Sequence, residues 1–172
     1  MPGSAARNGK QLTEVVFDSA GVLDAVGWRI LSELQENARI SFSELGRRVG
    51  LTPPAVAERV RRLEEAGIIK GYRLDLDVAR LGLHLQALVR LAPRSASPSE
   101  IKQAVGAMSE VLECHHVTGE DCYIMKVAVP SVRELEGLLE RLLKLGNTTT
   151  SIVVSSPVTG RVIGGPNVQP YA

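Results

Sequence analysis

The sequence carries its strongest chemical signal between residues 47 and 73, where basic side chains outnumber acidic ones. Seven lysines and arginines stand beside only three glutamates there, although the whole chain has a net charge of +1. A local basic patch on a nearly neutral protein is the electrostatic signature of phosphate binding, and the alternative is an ordinary solvated helix face. The basic side chains are Arg47, Arg48, Arg59, Arg61, Arg62, Lys70 and Arg73.

The element that must present most of these arginines is a helix predicted from Pro53 to Ala66. Two prolines suit its first turn, Thr52 is expected at the N-cap with its hydroxyl accepting from the free N–H groups, and Gly67 stops the helix. On a helical wheel the apolar side chains fall on one stripe, so the opposite, arginine-bearing side should stay exposed. The stripe consists of Val56, Val60 and Leu63.

Two further helical patterns precede this helix. Apolar residues recur at helical spacing from Leu23 to Asn37, and Ser41 or Ser43 can cap a second helix that ends at Gly50. Three helices in about 43 residues, with a tight turn between the last two, predict a helix-turn-helix. In such a motif the last helix enters the major groove of DNA.

The exposed side of the third helix predicts two kinds of DNA contact. Small residues near its start allow close approach to base edges, and an arginine fork can donate two parallel hydrogen bonds to guanine or phosphate. We expect base contacts from Thr52, Pro54, Ala55, Glu58 and Arg59. We expect contacts with the sugar-phosphate backbone from Arg47, Arg48, Arg62 and Lys70.

The pattern of the chain changes after the third helix. Residues 68–76 are rich in β-formers and predict a hinge strand or wing, and a short helical turn should follow near residues 78–81. From residue 84 the order β-α-β-β-α-β predicts a ferredoxin-like domain, so the fold class is α+β, a winged helix-turn-helix followed by a βαββαβ domain. The predicted divisions are a flexible arm (1–22), the helix-turn-helix domain (23–68), a hinge strand and linker (69–83), the βαββαβ domain (84–156) and a tail (157–172).

Composition and motifs argue against several other classes of protein. No apolar run reaches the roughly 20 residues needed to cross a bilayer, and the first residues lack the apolar core of a secretory signal, so we expect a cytoplasmic protein. Two cysteines in a reducing cytoplasm predict no disulfide. No nucleophile elbow, phosphate-binding glycine loop or zinc-binding His-Glu-x-x-His helix occurs, so we predict neither an enzyme nor a cofactor.

One cluster, formed by Cys114, His115, His116 and Cys122, raises the question of a metal site. Strand alternation places His115 on the opposite face from Cys114 and His116, whereas a closed zinc site needs four converging ligands. A buried thiol and a hydrogen-bonded histidine are the stronger interpretation, so we predict no metal.

Two stretches of the chain resemble the Lrp/AsnC, or feast/famine, regulators. Residues 23–77, which include the run TPPAVAERVRRLEEAGIIKGY, are similar to the DNA-binding half of that family, and residues 113–127 and 145–156 are similar to its sensing and oligomerising half. The resemblance implies double-stranded DNA as a partner and a homodimer that assembles into tetramers or octamers. It also implies an amino acid or related metabolite as effector, bound at an interface between dimers.

The same resemblance places the effector at a strand-turn-strand and at the last strand. Gly119 gives a turn whose exposed backbone N–H groups can take a carboxylate, while a neighbouring acidic side chain faces an ammonium group; the alternative is an ordinary acidic hairpin loop. The implied effector residues are Gly119, Glu120, Asp121, Cys122, Tyr123, Thr148 and Thr150.

The chain departs from the family pattern at two positions. Gly27 stands where many relatives carry an acidic residue, so the first helix should be capped by Asp24. Cys122 stands where many relatives carry aspartate, so no single amino acid is named as effector. Two other functions remain open: a metabolite-binding assembly module without DNA affinity, and a decarboxylase-type enzyme on the same architecture.

Overall fold

The computed structural model describes residues 21–119 and 122–165, and within them the chain forms a helical unit and a mixed unit. Of the described residues, 21–73 and 160–165 make one compact unit, and those within 74–159 make the other. The arm predicted at residues 1–22 falls almost wholly outside the described residues. The helices are α1 (Ala25–Glu36), α2 (Phe42–Val49), α3 (Pro53–Glu65), α4 (Pro98–Gly106) and α5 (Val132–Leu143). The strands are β1 (Leu85–Pro93), β2 (Val111–His116), β3 (Tyr123–Val129) and β4 (Gly146–Ile152).

Local capping signals place the ends of the first two helices. Asp24 caps α1 by accepting a 2.7 Å hydrogen bond from the Gly27 N–H, as the sequence predicts. Ser41, rather than Ser43, caps α2 through the Glu44 N–H, and Gly50 ends α2 with a left-handed φ of 77°. Because each signal acts within one turn of its own helix, the order of these helices follows directly from the sequence.

A single apolar cluster holds the three helices together. Its buried side chains come from one stripe of each helix, which is the arrangement that the periodic pattern predicts. The cluster consists of Ile30, Leu34, Leu45, Val49, Val56, Val60 and Leu63.

The strand predicted over residues 68–76 is wrong. The N–H groups of Ile68 and Ile69 both donate to the Leu63 carbonyl and close the end of α3, and the two side chains pack against the helical core. Residues 70–77 then form neither helix nor strand. A β-ladder needs a second edge, and no other strand of the described chain pairs with this segment.

The mixed unit is a four-stranded antiparallel sheet in the order β2-β3-β1-β4. With helices between β1 and β2 and between β3 and β4, this is the ferredoxin-like order that the sequence predicts. Alternate side chains of β1 and β3 enter a core with α4 and α5. The buried members in these two strands are Ala87, Val89, Leu91, Tyr123, Met125, Val127 and Val129.

The opposite face of this sheet carries no helix of its own unit. Leu88 lies on that face, opposite Lys126 on β3 and Ser151 on β4, and 42% of it remains exposed. Arg90 stands two residues further along β1, opposite Ile124 and Thr149. We call this surface the open sheet face; antiparallel sheets tolerate solvent on one side, and they also pack face to face.

Candidate nucleic-acid interface and effector site

Helix α3 presents a basic surface because its apolar stripe is buried. Val56, Val60 and Leu63 are at most 2% exposed, and they pack against α1 and α2. The helix is thereby held with one side inward, while the side chains of Arg61 and Arg62 are 54% and 61% exposed. A rigid helix with cations on its outer side has the form needed to enter a groove of DNA.

Glu58 partly neutralises the outer side of α3. Its Oε1 accepts from Arg61 Nη2 at 2.7 Å and from Arg62 Nε at 2.9 Å, and these two guanidinium groups lower the pKa of its carboxyl. Arg61 also pairs with Glu65. Exposed pairs of this kind contribute little to folding, but their i,i+3 and i,i+4 spacing keeps the arginine side chains along the helix surface.

The end of α2 adds a second pair of arginines. Arg47 and Arg48 both donate to Glu44, at 2.7 and 2.8 Å, and Arg48 also reaches Glu33 at 2.7 Å. Hydrogen bonds from Arg47 and Arg48 lower the pKa of Glu44 to about 2. The Arg47 side chain is still 73% exposed, so it remains accessible to a phosphate group.

Arg59 points toward another helix. Its Nη1 lies 2.8 Å from Asp24 Oδ1, the same oxygen that caps α1, and the Arg59 side chain is 33% exposed. The hydrogen bond from the Gly27 N–H, followed by that from Arg59, lowers the pKa of Asp24. The structure therefore shows Arg59 linking α3 to the start of α1, and leaves its predicted base contact untested.

The remaining DNA-contact candidates lie near the start and beyond the end of α3. Thr52 occupies the N-cap, but its side chain makes no hydrogen bond to the helix, so the predicted side-chain cap is wrong. Pro54, at the second helical position, carries no N–H, which removes one of the two donors that such a cap would use. Pro54 and Lys70 are exposed and Ala55 is half-buried. Nothing in the structure tests whether these side chains contact DNA.

The hairpin between β2 and β3 brings three of the implied effector residues together. Gly119 has a φ of 117°, which favours glycine, and the Cys122 thiol donates to the Gly119 carbonyl at 3.6 Å. Tyr123 is 8% exposed, and its ring stacks on His116 with the ring centres 4.6 Å apart. Glu120 and Asp121 lie outside the described residues.

Cys122 itself adopts an unusual backbone conformation. Its φ of 47° is left-handed, a region that asparagine and aspartate enter more readily than other residues with side chains. An aspartate at this position would therefore suit the backbone better than the cysteine does.

The two threonines of β4 lie at the same end of the sheet but not beside Tyr123. Leu91 pairs with Tyr123 on one side, and the β4 register around Thr149 and Asn147 places Thr148 opposite Leu91 on the other. One strand therefore separates Thr148 from Tyr123, a distance of about 10 Å at the usual strand spacing. Thr148 and Thr150 are half-buried.

Sequence reasoning missed two arginines that the structure makes prominent. Arg61 is the most extensively paired arginine on α3, and its position opposite the buried stripe was the signal for it. Arg94 donates to Asn147 Oδ1 through Nη2 at 2.6 Å, at the same end of the sheet as Thr148. Nothing in the sequence pairs Arg94 with Asn147, because the contact depends on the β1–β4 register.

The described residues contain neither a metal-binding cluster nor a helix able to span a membrane. No three His, Cys, Asp or Glu side chains there come together in a way that would hold a metal ion. Cys114 is exposed and Cys122 is only half-buried, so the predicted buried thiol is wrong. In the same part of the chain, no helix combines the length and apolar character that a membrane span requires.

A helix-turn-helix with an outward basic helix, joined in one chain to a separate ferredoxin-like domain, defines a DNA-binding regulator with a sensing domain. Residues 23–64 match the AsnC-type helix-turn-helix domain, and residues 86–163 match the Lrp/AsnC ligand binding domain. The chain belongs to the Lrp/AsnC family of transcriptional regulators.

Three relatives illustrate the similarity. The regulator LrpC of Bacillus subtilis is 33% identical over 133 residues, which are 77% of this chain and 92% of LrpC. The LrpC structure superimposes with a TM-score of 0.77, covering 80% of this chain and 98% of the LrpC chain. The leucine-responsive regulatory protein of Escherichia coli K12 is 40% identical over 142 residues, 79% of this chain and 87% of that protein. The regulator NMB0573 of Neisseria meningitidis, solved with L-Met, is 28% identical with a TM-score of 0.77 over 82% and 96% of the chains.

Proposed function

We propose that the outer side of α3 reads operator DNA, with Arg61 and Arg62 as its principal cations. The observation that carries this proposal is the burial of Val56, Val60 and Leu63, which leaves the opposite side of the same helix exposed. DNA phosphates would replace the carboxylate of Glu58 as partners of the two guanidinium groups. Since phosphate contacts add affinity without sequence information, base selection falls to the residues near the start of the helix.

The base contacts proposed for that part of the interface are those of Thr52, Pro54, Ala55 and Glu58. The Thr52 hydroxyl makes no bond to its own helix, so it can donate to or accept from a base edge. A glutamate can accept from the cytosine amino group, and Glu58 is positioned for this once the arginines turn to phosphate. Arg59, held by Asp24, contributes mainly by fixing the angle between α1 and α3.

The backbone contacts proposed beyond α3 are those of Arg47, Arg48 and Lys70. Arg47 and Arg48 follow one another at the end of α2, and Lys70 lies just past the end of α3. Each side chain is exposed, which permits a contact with phosphate from outside the groove.

Two copies of the chain are proposed to pack through the open sheet face. Leu88 is 42% exposed at the centre of that face, between Lys126 and Ser151, and sheet-on-sheet packing would bury it. Such a homodimer, and its assembly into tetramers or octamers, would pair recognition helices about one DNA turn apart, roughly 34 Å. Leu88→Glu should reduce the mass measured by light scattering, whereas Val158→Glu, on an exposed side chain outside the sheet, should not.

The effector proposed for the mixed unit is a free amino acid. The E. coli relative is named leucine-responsive and the N. meningitidis relative was solved with L-Met. A zwitterion needs donors for its carboxylate and acceptors for its ammonium group close together. The backbone N–H groups near Gly119 are proposed as the donors, and the carboxylates of Glu120 and Asp121 as the acceptors. We propose that the site is completed by Cys122, Tyr123, Thr148 and Thr150. The proposed location of the protein is the cytoplasm.

Gel shifts with DNA from upstream of the protein's own gene test the proposal. Retarded complexes that weaken steeply with salt are expected, because released counterions dominate such binding. A thermal-shift screen of the common amino acids, repeated with the DNA, then identifies the effector. If no complex forms even at low salt, the chain is a metabolite-binding assembly module and not a regulator that binds its own promoter.

A further inference from the structure

A segment that follows β4, residues 160–165, packs with the helical unit. The Gln35 side chain on α1 donates from Nε2 to the Ile163 carbonyl at 3.1 Å and accepts from the Ile163 N–H at 2.9 Å. A side-chain amide that makes both bonds with one residue reproduces the pairing of two strands. The sequence predicts a tail at residues 157–172, and this pair of hydrogen bonds attaches its described part to α1.

A second, independent contact lies two residues further along. Gly165 is buried against Trp28 of α1, and a Cβ placed on Gly165 would come within 2.7 Å of two indole carbon atoms. No side chain larger than hydrogen fits unless the indole moves. The segment is therefore located by its glycine as well as by its backbone hydrogen bonds.

The segment borders an apolar groove on the helical unit. The groove has a volume of about 430 Å³, and Ile163 forms one wall of it. Trp28 and Leu31 from α1 line it on one side, and Ile69 and Tyr72 from the stretch after α3 line it on another. Residues 160–165 thus form part of the groove's wall through Ile163, and the contacts just described hold them there.

The docked segment leaves the DNA-binding side of α3 uncovered. No residue of α3 lines the groove, and the side chains of Arg61 and Arg62 stay more than half exposed. The segment therefore does not act as an inhibitory lid. It acts as a connection, because the chain enters the mixed unit at residue 74 and returns to the helical unit at residue 160.

We propose that residues 160–165 are a second tether, which restricts the helical unit and carries the state of the effector site to it. A domain held at two points of the chain has less orientational freedom to lose on binding DNA, and an intramolecular contact needs little intrinsic affinity to persist. The tether follows β4, the strand that carries Thr148 and Thr150, and residues 153–159 connect the end of that strand to it. The link to effector response rests on the proposed function; the docking does not.

Four variants of the full chain test the tether. Truncation after Thr159 removes it, Gly165→Ala places a methyl group against the indole, and Gln35→Ala deletes both hydrogen bonds. Gln35 is an exposed helix residue and alanine favours helix, so this variant should fold normally. Gly137→Ala is the matched control, because a Cβ at Gly137 in α5 meets nothing within 4 Å.

The first measurement is the emission of Trp28, the single tryptophan of the chain. Truncation and Gly165→Ala should move the emission maximum to longer wavelength as the indole becomes hydrated, Gln35→Ala should do so partially, and Gly137→Ala should match the wild type. Unchanged emission in the truncated chain would overturn the docking.

The second measurement compares operator affinity with and without saturating L-leucine or L-methionine. The truncation, Gly165→Ala and Gln35→Ala should each weaken operator binding at least about threefold. The factor by which the amino acid changes operator affinity, usually about 5–150-fold in allosteric systems, should fall toward one in these three variants. The tether would be refuted if the wild type binds operator and responds to the amino acid, and these three variants show the same operator affinity and the same response. A wild type that shifts no DNA would instead refute the proposed function, and Trp28 emission would still decide the docking.

Discussion

Arg62→Ala should weaken DNA binding by the loss of phosphate contacts and leave the fold intact. The Arg62 side chain is 61% exposed, and its hydrogen bond is to Glu58, which keeps Arg61 as a second partner at 2.7 Å. The substitution therefore removes one cation from the DNA-facing side without leaving Glu58 unpaired. Because the pair is exposed, the free energy of unfolding should change by less than about 1 kcal/mol.

The size of the effect follows from counterion release. Each phosphate contact contributes about 0.9 to the slope of log affinity against log salt, and a dimer presents two copies of Arg62, so the slope should fall by about 1.8. If the variant and the wild type bind DNA equally at 1 M salt, a slope difference of this size lowers the DNA affinity of the variant by about 60-fold at 0.1 M salt. This value is the upper limit. We expect roughly tenfold, since in the free protein Arg62 gives up its pairing with Glu58 to bind phosphate.

Fluorescence anisotropy with labelled operator DNA over a salt series measures both quantities. Arg80→Ala is the matched control, because Arg80 is 87% exposed and also pairs with one carboxylate, that of Asp77. The control should leave affinity and slope unchanged. An Arg62→Ala protein with the wild-type salt slope would show that the outer side of α3 does not contact the DNA backbone.

Three further substitutions give distinct outcomes. Gly27→Ala should lower the free energy of unfolding by about 1–2 kcal/mol in urea titrations, because the new Cβ would collide with the Val22 carbonyl oxygen. The control Gly137→Ala should leave the free energy of unfolding unchanged or raise it. Equal values for the two variants would contradict the packing of α1. Glu44→Gln should make the thermal midpoint less sensitive to acid. The pKa of Glu44 is lowered from 4.5 to about 2, so its stabilisation is complete above pH 4.5 and disappears as the pH falls toward 2; identical pH profiles would argue against the Arg47 and Arg48 pairing. Gly119→Val should abolish the amino-acid response and retain operator binding, since valine is strained at a φ of 117°; a normal response would exclude this turn from the effector site.

Signals that act within one turn of chain were predicted well, apart from the side-chain cap at Thr52. Asp24, Ser41 and Gly50 stand at the helix ends because each cap involves neighbours three or four residues away. The order of the four strands also followed from alternation and from the family resemblance, because a ferredoxin-like unit allows few other arrangements.

Contacts between distant parts of the chain were beyond sequence reasoning. The helical wheel showed that Arg59 flanks the buried stripe, but its partner Asp24 is set by how α1 crosses α3. The β-formers at residues 68–76 suit a strand only where a second edge exists, and in the described chain two of them complete the helical core instead. The attachment of Ile163 to Gln35 spans 128 residues and has no sequence signal.

The most direct test of the account is the affinity for L-leucine or L-methionine, whichever raises the thermal midpoint, measured by calorimetry with and without operator DNA. If one protein couples sensing to DNA binding, the amino-acid affinity must change with DNA by the same factor by which the amino acid changes DNA affinity. We predict equal factors in the two directions, both different from one. An amino-acid affinity that is the same in the presence and absence of operator would contradict the account.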